Sequence, residues 1–322
     1  MTARRLHVAN GDAVVPELAA AAGVDPADVL AWRDVLPDGP VPAGLEPDAL
    51  AEVRARHLTT RGWSHADAVE VSQGAALAML RERDARLAAH PSDAEVVLWF
   101  EDDLFDALQL AQIEDRLAGR PGLVTRVRLR HQPRGDLPAA LTAREPIDPD
   151  PAAFAALRSD DPRKWLAVPA FARLLEELPD SRTGLGRLER QILEALEPGP
   201  LSPGDLFAAA TAPEQPPWVG DASLFALADE LDPFVARADG RFALTLKGVA
   251  VLAGRATRPR TDRWLGGVHL GPLPARVGLR RHLSLPDSPR LRSLGLDAFF
   301  RCKSGINAYA RARKRKWAEV RK

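Results

Sequence analysis

The sequence predicts an α/β fold: a small, mainly parallel sheet with flanking helices, followed by a helical segment and a winged-helix-like module. Three observations carry that prediction. Short apolar runs at 5–10, 29–32 and 95–100 alternate with stretches of helical period, and strands separated by helices pair in parallel through right-handed crossovers. Each run stops abruptly at polar and acidic residues beside a turn or a helix start: Asn10-Gly11-Asp12, Arg33-Asp34 and Glu101-Asp102-Asp103. Further on, Asp239-Gly240 stands between two alternating runs, the strongest short-range hairpin signal.

Taken in order, 5–10 forms a first strand. Asp12 can cap the helix that follows, whose apolar positions Val14, Val15 and Leu18 lead into an alanine run ending at Gly23. Residues 29–32 make the second strand, and helices are expected at 48–60 and 64–89, the latter rich in Ala, Leu and Arg. The third strand, 95–100, precedes a helix at 103–117 with Leu110, Ile113 and Leu117 on one stripe. A fourth strand at 123–129 alternates poorly, with Arg126 and Arg128 among its valines, and is expected at the sheet edge.

These elements define a first domain, 1–131. A Pro/Asp/Ala-rich linker at 132–152 opens a second stretch, 132–183, with helices at 151–158 and 162–178. Residues 184–256 hold three short helices (184–196, 202–210, 221–231) and the Asp239-Gly240 hairpin, the parts of a winged-helix-like module. The remainder, 257–322, is an extension with a basic tail.

Composition bounds the function. At 322 residues, 46% apolar and 27% charged, the chain has the makeup of a soluble globular protein. No apolar run approaches the roughly 20 residues that span a bilayer, and the first strand follows Arg5 directly instead of a signal-peptide core, so no membrane association and a cytoplasmic location are expected. The lone Cys302 excludes an intramolecular disulfide framework and any multi-cysteine zinc site. Arginine far outnumbers lysine, 38 to 6, which suggests a GC-rich bacterial genome. The zero net charge hides a split: 276–322 holds 14 basic and 3 acidic residues, a net of +11.

The chain resembles a bacterial family designated domain of unknown function family 1835. The residues that carry the resemblance are Asn10-Gly11-Asp12, then Trp32-Arg33-Asp34-Val35-Leu36 with Gly39-Pro40, and Trp99-Phe100-Glu101 followed by Asp103-Leu104-Phe105-Asp106 and Leu108-Gln109-Leu110. Similarity extends to 184–196 and to Asp262-Arg263-Trp264-Leu265-Gly266-Gly267-Val268-His269-Leu270. The resemblance implies no activity. It also has departures: Asp102 and Ala107 stand where the family pattern has His and Gln, and beyond about Pro274 the similarity ends.

Parallel strands bring their C-terminal ends side by side, and open α/β sheets bind ligands in the crevice beyond those ends. Asp12, Asp34, Glu101 and Asp106 are therefore the candidate catalytic acids, with Asn10, Gly11, Trp32, Arg33 and Asp103 as ligand-binding candidates. Clustered carboxylates need a cation, a proton or a basic group among them. A hard ion such as Mg²⁺, held by Asp12 and Glu101 together with ligand phosphates, would meet that need. The ordinary structural roles compete: Asp12 as a cap, Asp102 and Asp103 as first-turn acids facing a helix dipole, and Trp32, Trp99 and His7 as core.

Phosphate-loop, zincin and nucleophile-elbow signatures are absent. The expected function is binding of a phosphorylated or nucleotide-like ligand. The alternative is a regulator whose winged-helix-like module contacts DNA or protein, although the helix at 221–231 carries Asp221, Asp229 and Glu230 and no Lys or Arg. The polybasic run 311–316 can bind nucleic acid without specificity.

Overall fold

The computed structural model describes residues 5–61, 71–129, 136–214, 216 and 218–271. In the first half, β1 (Leu6–Ala9), α1 (Val15–Ala22), β2 (Val29–Ala31), the two-residue β3 (Gly39–Pro40), α2 (Pro47–Thr60), α3 (Gln73–Ala89), β4 (Val96–Phe100), α4 (Leu104–Leu117) and β5 (Val124–Arg128) follow in order. Then come α5 (Leu137–Thr142), β6 (Glu145–Ile147), α6 (Ala152–Leu157) and α7 (Ala172–Leu175). The chain continues through α8 (Arg187–Ala195), α9 (Pro203–Thr211), α10 (Asp221–Glu230), the hairpin β7 (Val235–Ala238) and β8 (Arg241–Leu244), α11 (Leu246–Leu252), β9 (Trp264–Gly266) and β10 (Val268–His269).

The main sheet has the order β2-β1-β4-β5-β6, parallel except for β6. β1, β2 and β4 are buried on both faces, which explains their continuous apolar runs. Alternate side chains divide between two layers. Ala9, Val29, Val97 and Trp99 pack with Leu18 of α1 and Leu137 of α5. Leu6, Val8, Leu30, Val96, Leu98 and Phe100 pack with Leu87 of α3 and with Leu110, Ile113 and Leu117 of α4. The helix after β1 thus lies on one face and the helix after β4 on the other. Between these two central strands the chain changes direction across the sheet.

Several boundaries differ from expectation for identifiable reasons. β5 is not an edge strand: it pairs with β4 on one side and with antiparallel β6 on the other. Arg126 and Arg128 spoil its alternation because both reach Asp102 at the strand ends, at 2.8 and 3.1 Å. The expected linker supplies α5 and β6. The helix expected at 162–178 is broken at Pro169 into 3-10 turns and the single-turn α7, since proline removes a donor and crowds the preceding turn. The expected 64–89 helix starts at Gln73, capped by Ser72, and its earlier part lies outside the described residues. The basic tail also lies outside them.

The hairpin forms as Asp239-Gly240 demands. Both residues adopt positive φ, 51° and 71°, which matches the right-handed twist of β7 and β8. Residues 5–271 belong to one unit, Met1–Pro272. One apolar cluster runs from Leu36, Val41, Leu50 and Leu104 to Ile192, Leu206, Leu224 and Phe242, so the segments before and after 131 share a core. No helix among the described residues is long and apolar enough to cross a membrane.

The turn after β2 is organised from inside. Arg54 of α2 and Asp34 form an ion pair at 2.8 Å with side chains 1% and 0% exposed. The same guanidinium donates to the carbonyls of Asp38 and Val35 at 2.8 and 2.9 Å, and to that of Pro40 at 3.3 Å. Removing one partner of such a pair strands a buried charge, so Arg54→Met is expected to lose about 3–5 kcal/mol in urea unfolding. The double variant Asp34→Asn/Arg54→Met should recover only part of that loss, because three carbonyls still lack their donor.

Candidate functional site

The register sets the site. Ala9 lies level with Ala31 on one side and with Trp99 on the other, and Trp32 N–H donates to Ala9 O at 2.7 Å. Asn10, Arg33 and Glu101 therefore leave three adjacent strands at the same end of the sheet. Gly11 is extended, with φ 171°, and an added Cβ would meet nothing within 4 Å, so the turn faces open space.

Asp106 closes the gap between β1 and β4. It belongs to the first turn of α4, where Asp103 as N-cap accepts its N–H at 2.8 Å. Its own carboxylate is fully buried. Asn10 Nδ2 donates to one oxygen at 2.8 Å and the Glu101 N–H to the other at 2.5 Å. Burial, reinforced by the charges of Asp103 and Glu101, pushes this carboxyl up to about 7 despite the two donors. The helix start, the strand end and the first turn of the chain thus meet at one titratable group.

The other expected site residues divide. Asp12 does not cap the helix, whose first turn begins at Gly11 with no side-chain cap. Instead it receives Arg33 bidentately, Nη2 at 2.6 Å and Nε at 2.8 Å, and that hydrogen bond holds the guanidinium charged. Asp34 is a correction: expected in the crevice, it is turned into the core toward Arg54, because a buried carboxylate takes the nearest buried cation. Trp32 is another correction. It is fully buried, donates from Nε1 to Gln112 Oε1 at 2.9 Å and is covered by Arg83 at 4.1 Å, so it offers no face to a ligand. Trp99 likewise is core, its Nε1 donating to His7 Nδ1 at 2.9 Å, and burial holds His7 neutral.

Compensation weakens the argument for a metal. Arg33 neutralises Asp12, Arg54 neutralises Asp34, Arg126 and Arg128 neutralise Asp102, and Asp106 is half protonated near pH 7. Among the described residues no group of three or more His, Cys, Asp or Glu is arranged to hold an ion. Asp12, one of the two acids expected to hold Mg²⁺, is already taken bidentately by Arg33, so the pair does not fit a bound ion as it stands. The residues that sequence reasoning missed are the arginines. Arg54 and Arg83 sit on helices of little amphipathic contrast, where nothing marks a basic residue as buried.

Because its folded value lies above that of an unfolded Asp, Asp106 contributes stability that is full in acid and lost as pH rises through about 7. Between about pH 4 and 7 its share of the unfolding free energy should fall by on the order of 1.4 kcal/mol per pH unit. Urea melts across that window should show this slope in the native chain and lack it in Asp106→Asn.

No family model matches the chain, and no curated protein is similar to it at a significant level.

Proposed function

We propose that the crevice beyond the ends of β1 and β4 binds a small phosphorylated or nucleotide-like ligand, with the buried Asp106 beneath it as a group whose protonation is coupled to binding. The observation that carries this reading is the Asn10–Asp106–Glu101 junction, placed where α1 and α4 depart to opposite faces of the sheet. Such switch points are where open α/β sheets form their ligand crevices. A carboxyl titrating near neutrality can hold a proton when a phosphate is near, and in that form it removes one charge that would repel the phosphate. Arg33, already fixed by Asp12, places a guanidinium at the same end of the sheet. The open backbone at Gly11 gives a ligand room to approach main-chain amides.

The resemblance to family 1835 remains part of the proposal and adds no reaction to it. The helical module enters as a packing partner. Arg237 on the hairpin is engaged with Asp229 at 3.2 Å and lies over Phe242 at 4.8 Å, so this arginine does not stand ready for a nucleic acid phosphate.

Thermal unfolding of the full chain with ATP, GTP, AMP or inorganic phosphate tests the reading. A ligand present at 100 times its Kd adds about 2.7 kcal/mol, or roughly 2–4 °C per kcal/mol in a unit of this size. The shift should appear in the native chain and disappear in Asn10→Ala. Absence of a shift with all four compounds overturns the proposal.

A further inference from the structure

β2 is an outermost strand, bonded to β1 on one side only. Along a parallel strand, successive residues turn their main-chain polar groups to opposite sides. The bond from Trp32 N–H to Ala9 O turns residues 30 and 32 toward β1, and residues 29, 31 and 33 outward. Of the outward groups, Val29 N–H is taken by Pro26 O, and Arg33 C=O accepts from Arg83 Nη1 at 3.0 Å. The other four are Val29 C=O, Ala31 N–H, Ala31 C=O and Arg33 N–H. None has a hydrogen-bond partner among the described residues.

Val29 and Ala31 are 4% and 6% exposed, and buried main-chain groups without partners are rare in folded proteins. They border a cavity of about 280 Å³ flanked by Val15 and Pro16 on one side and by Met79, Arg83 and Arg86 of α3 on the other. That volume far exceeds the space of one water. Arg33, Arg83 and Arg86 outnumber Asp12 and Glu82 in the lining. Arg86 donates to Ala27 O at 2.7 Å and has no carboxylate partner among the described residues.

We propose that this edge takes up an extended peptide bearing an acidic side chain, which adds to β2 as a further strand. The spacing of the unpaired groups selects that occupant. Along an extended chain the outward pairs repeat every two residues, about 6.7 Å, and only another extended backbone presents donors and acceptors at that repeat. A small organic acid would serve one pair and leave the rest unpaired. The peptide's carboxylate would meet Arg86. The groove touches the strand-end crevice at Asp12 and Arg33, but the inference does not depend on what the crevice binds.

The test is fluorescence anisotropy on the full chain with a labelled acetyl-Val-Glu-Val-Glu-Val-amide peptide. Saturable binding is expected, abolished when alternate peptide amides are N-methylated and weakened about tenfold by Arg86→Gln. Ala31→Pro deletes a donor that points away from β1, so the ladder survives while binding is lost. Should that variant fail to fold, the N-methylated peptide on the native chain decides the same question. The proposal is overturned by equal binding of the N-methylated peptide, by equal binding of its lysine counterpart or of acetylglutamate amide alone, or by no binding at about 1 mM peptide.

Discussion

The buried pair between Asp34 and Arg54 is the constraint around which the strand ends are arranged. Two desolvated charges tolerate each other only with good geometry and further hydrogen bonds. Arg54 meets that condition by collecting Asp34 and three carbonyls of the turn that follows β2. The turn then serves as a junction for other elements. Gln109 of α4 donates to Asp34 O, Arg83 of α3 donates to Arg33 O, and β3 within the turn pairs with β9 from far along the chain. Helices from three points in the sequence and a late strand are positioned by one segment of eight residues, 33–40.

A similar economy operates within the second half of the chain. Glu189, almost fully buried on α8, accepts the Gly186 N–H and also pairs with Arg258 and Arg263, which lead into β9. Arg173 is shared between Glu177 and Glu214 and lies 5.0 Å over the Trp218 ring. Removing Glu189 would leave Arg258 and Arg263 without the carboxylate they share, so these networks join the apolar cluster in holding the second half together. The same accounting clarifies the strand-end crevice. It is rich in acids by count, yet most of the acids are neutralised by arginines or by a proton.

Much of this was legible in the sequence. Strand and helix alternation, the ends of β1, β2 and β4, the α4 start at Asp103 and the Asp239-Gly240 turn all follow from local periodicity, capping and turn chemistry, which act over a few residues. So does the expectation that Asn10, Glu101 and Asp106 share one rim, because parallel pairing brings strand ends together whatever the intervening length. What the local pattern could not supply was the direction in which each acid points. Asp34 and Asp12 are equivalent in the sequence, each beside a strand end. Only the tertiary structure sends one inward to Arg54 and the other outward to Arg33, because that choice depends on which cation another element brings near. The position of β5 inside the sheet and the unpaired outer edge of β2 are decided in the same way: by long-range pairing, whose partners lie too far along the chain for any local signal to announce them.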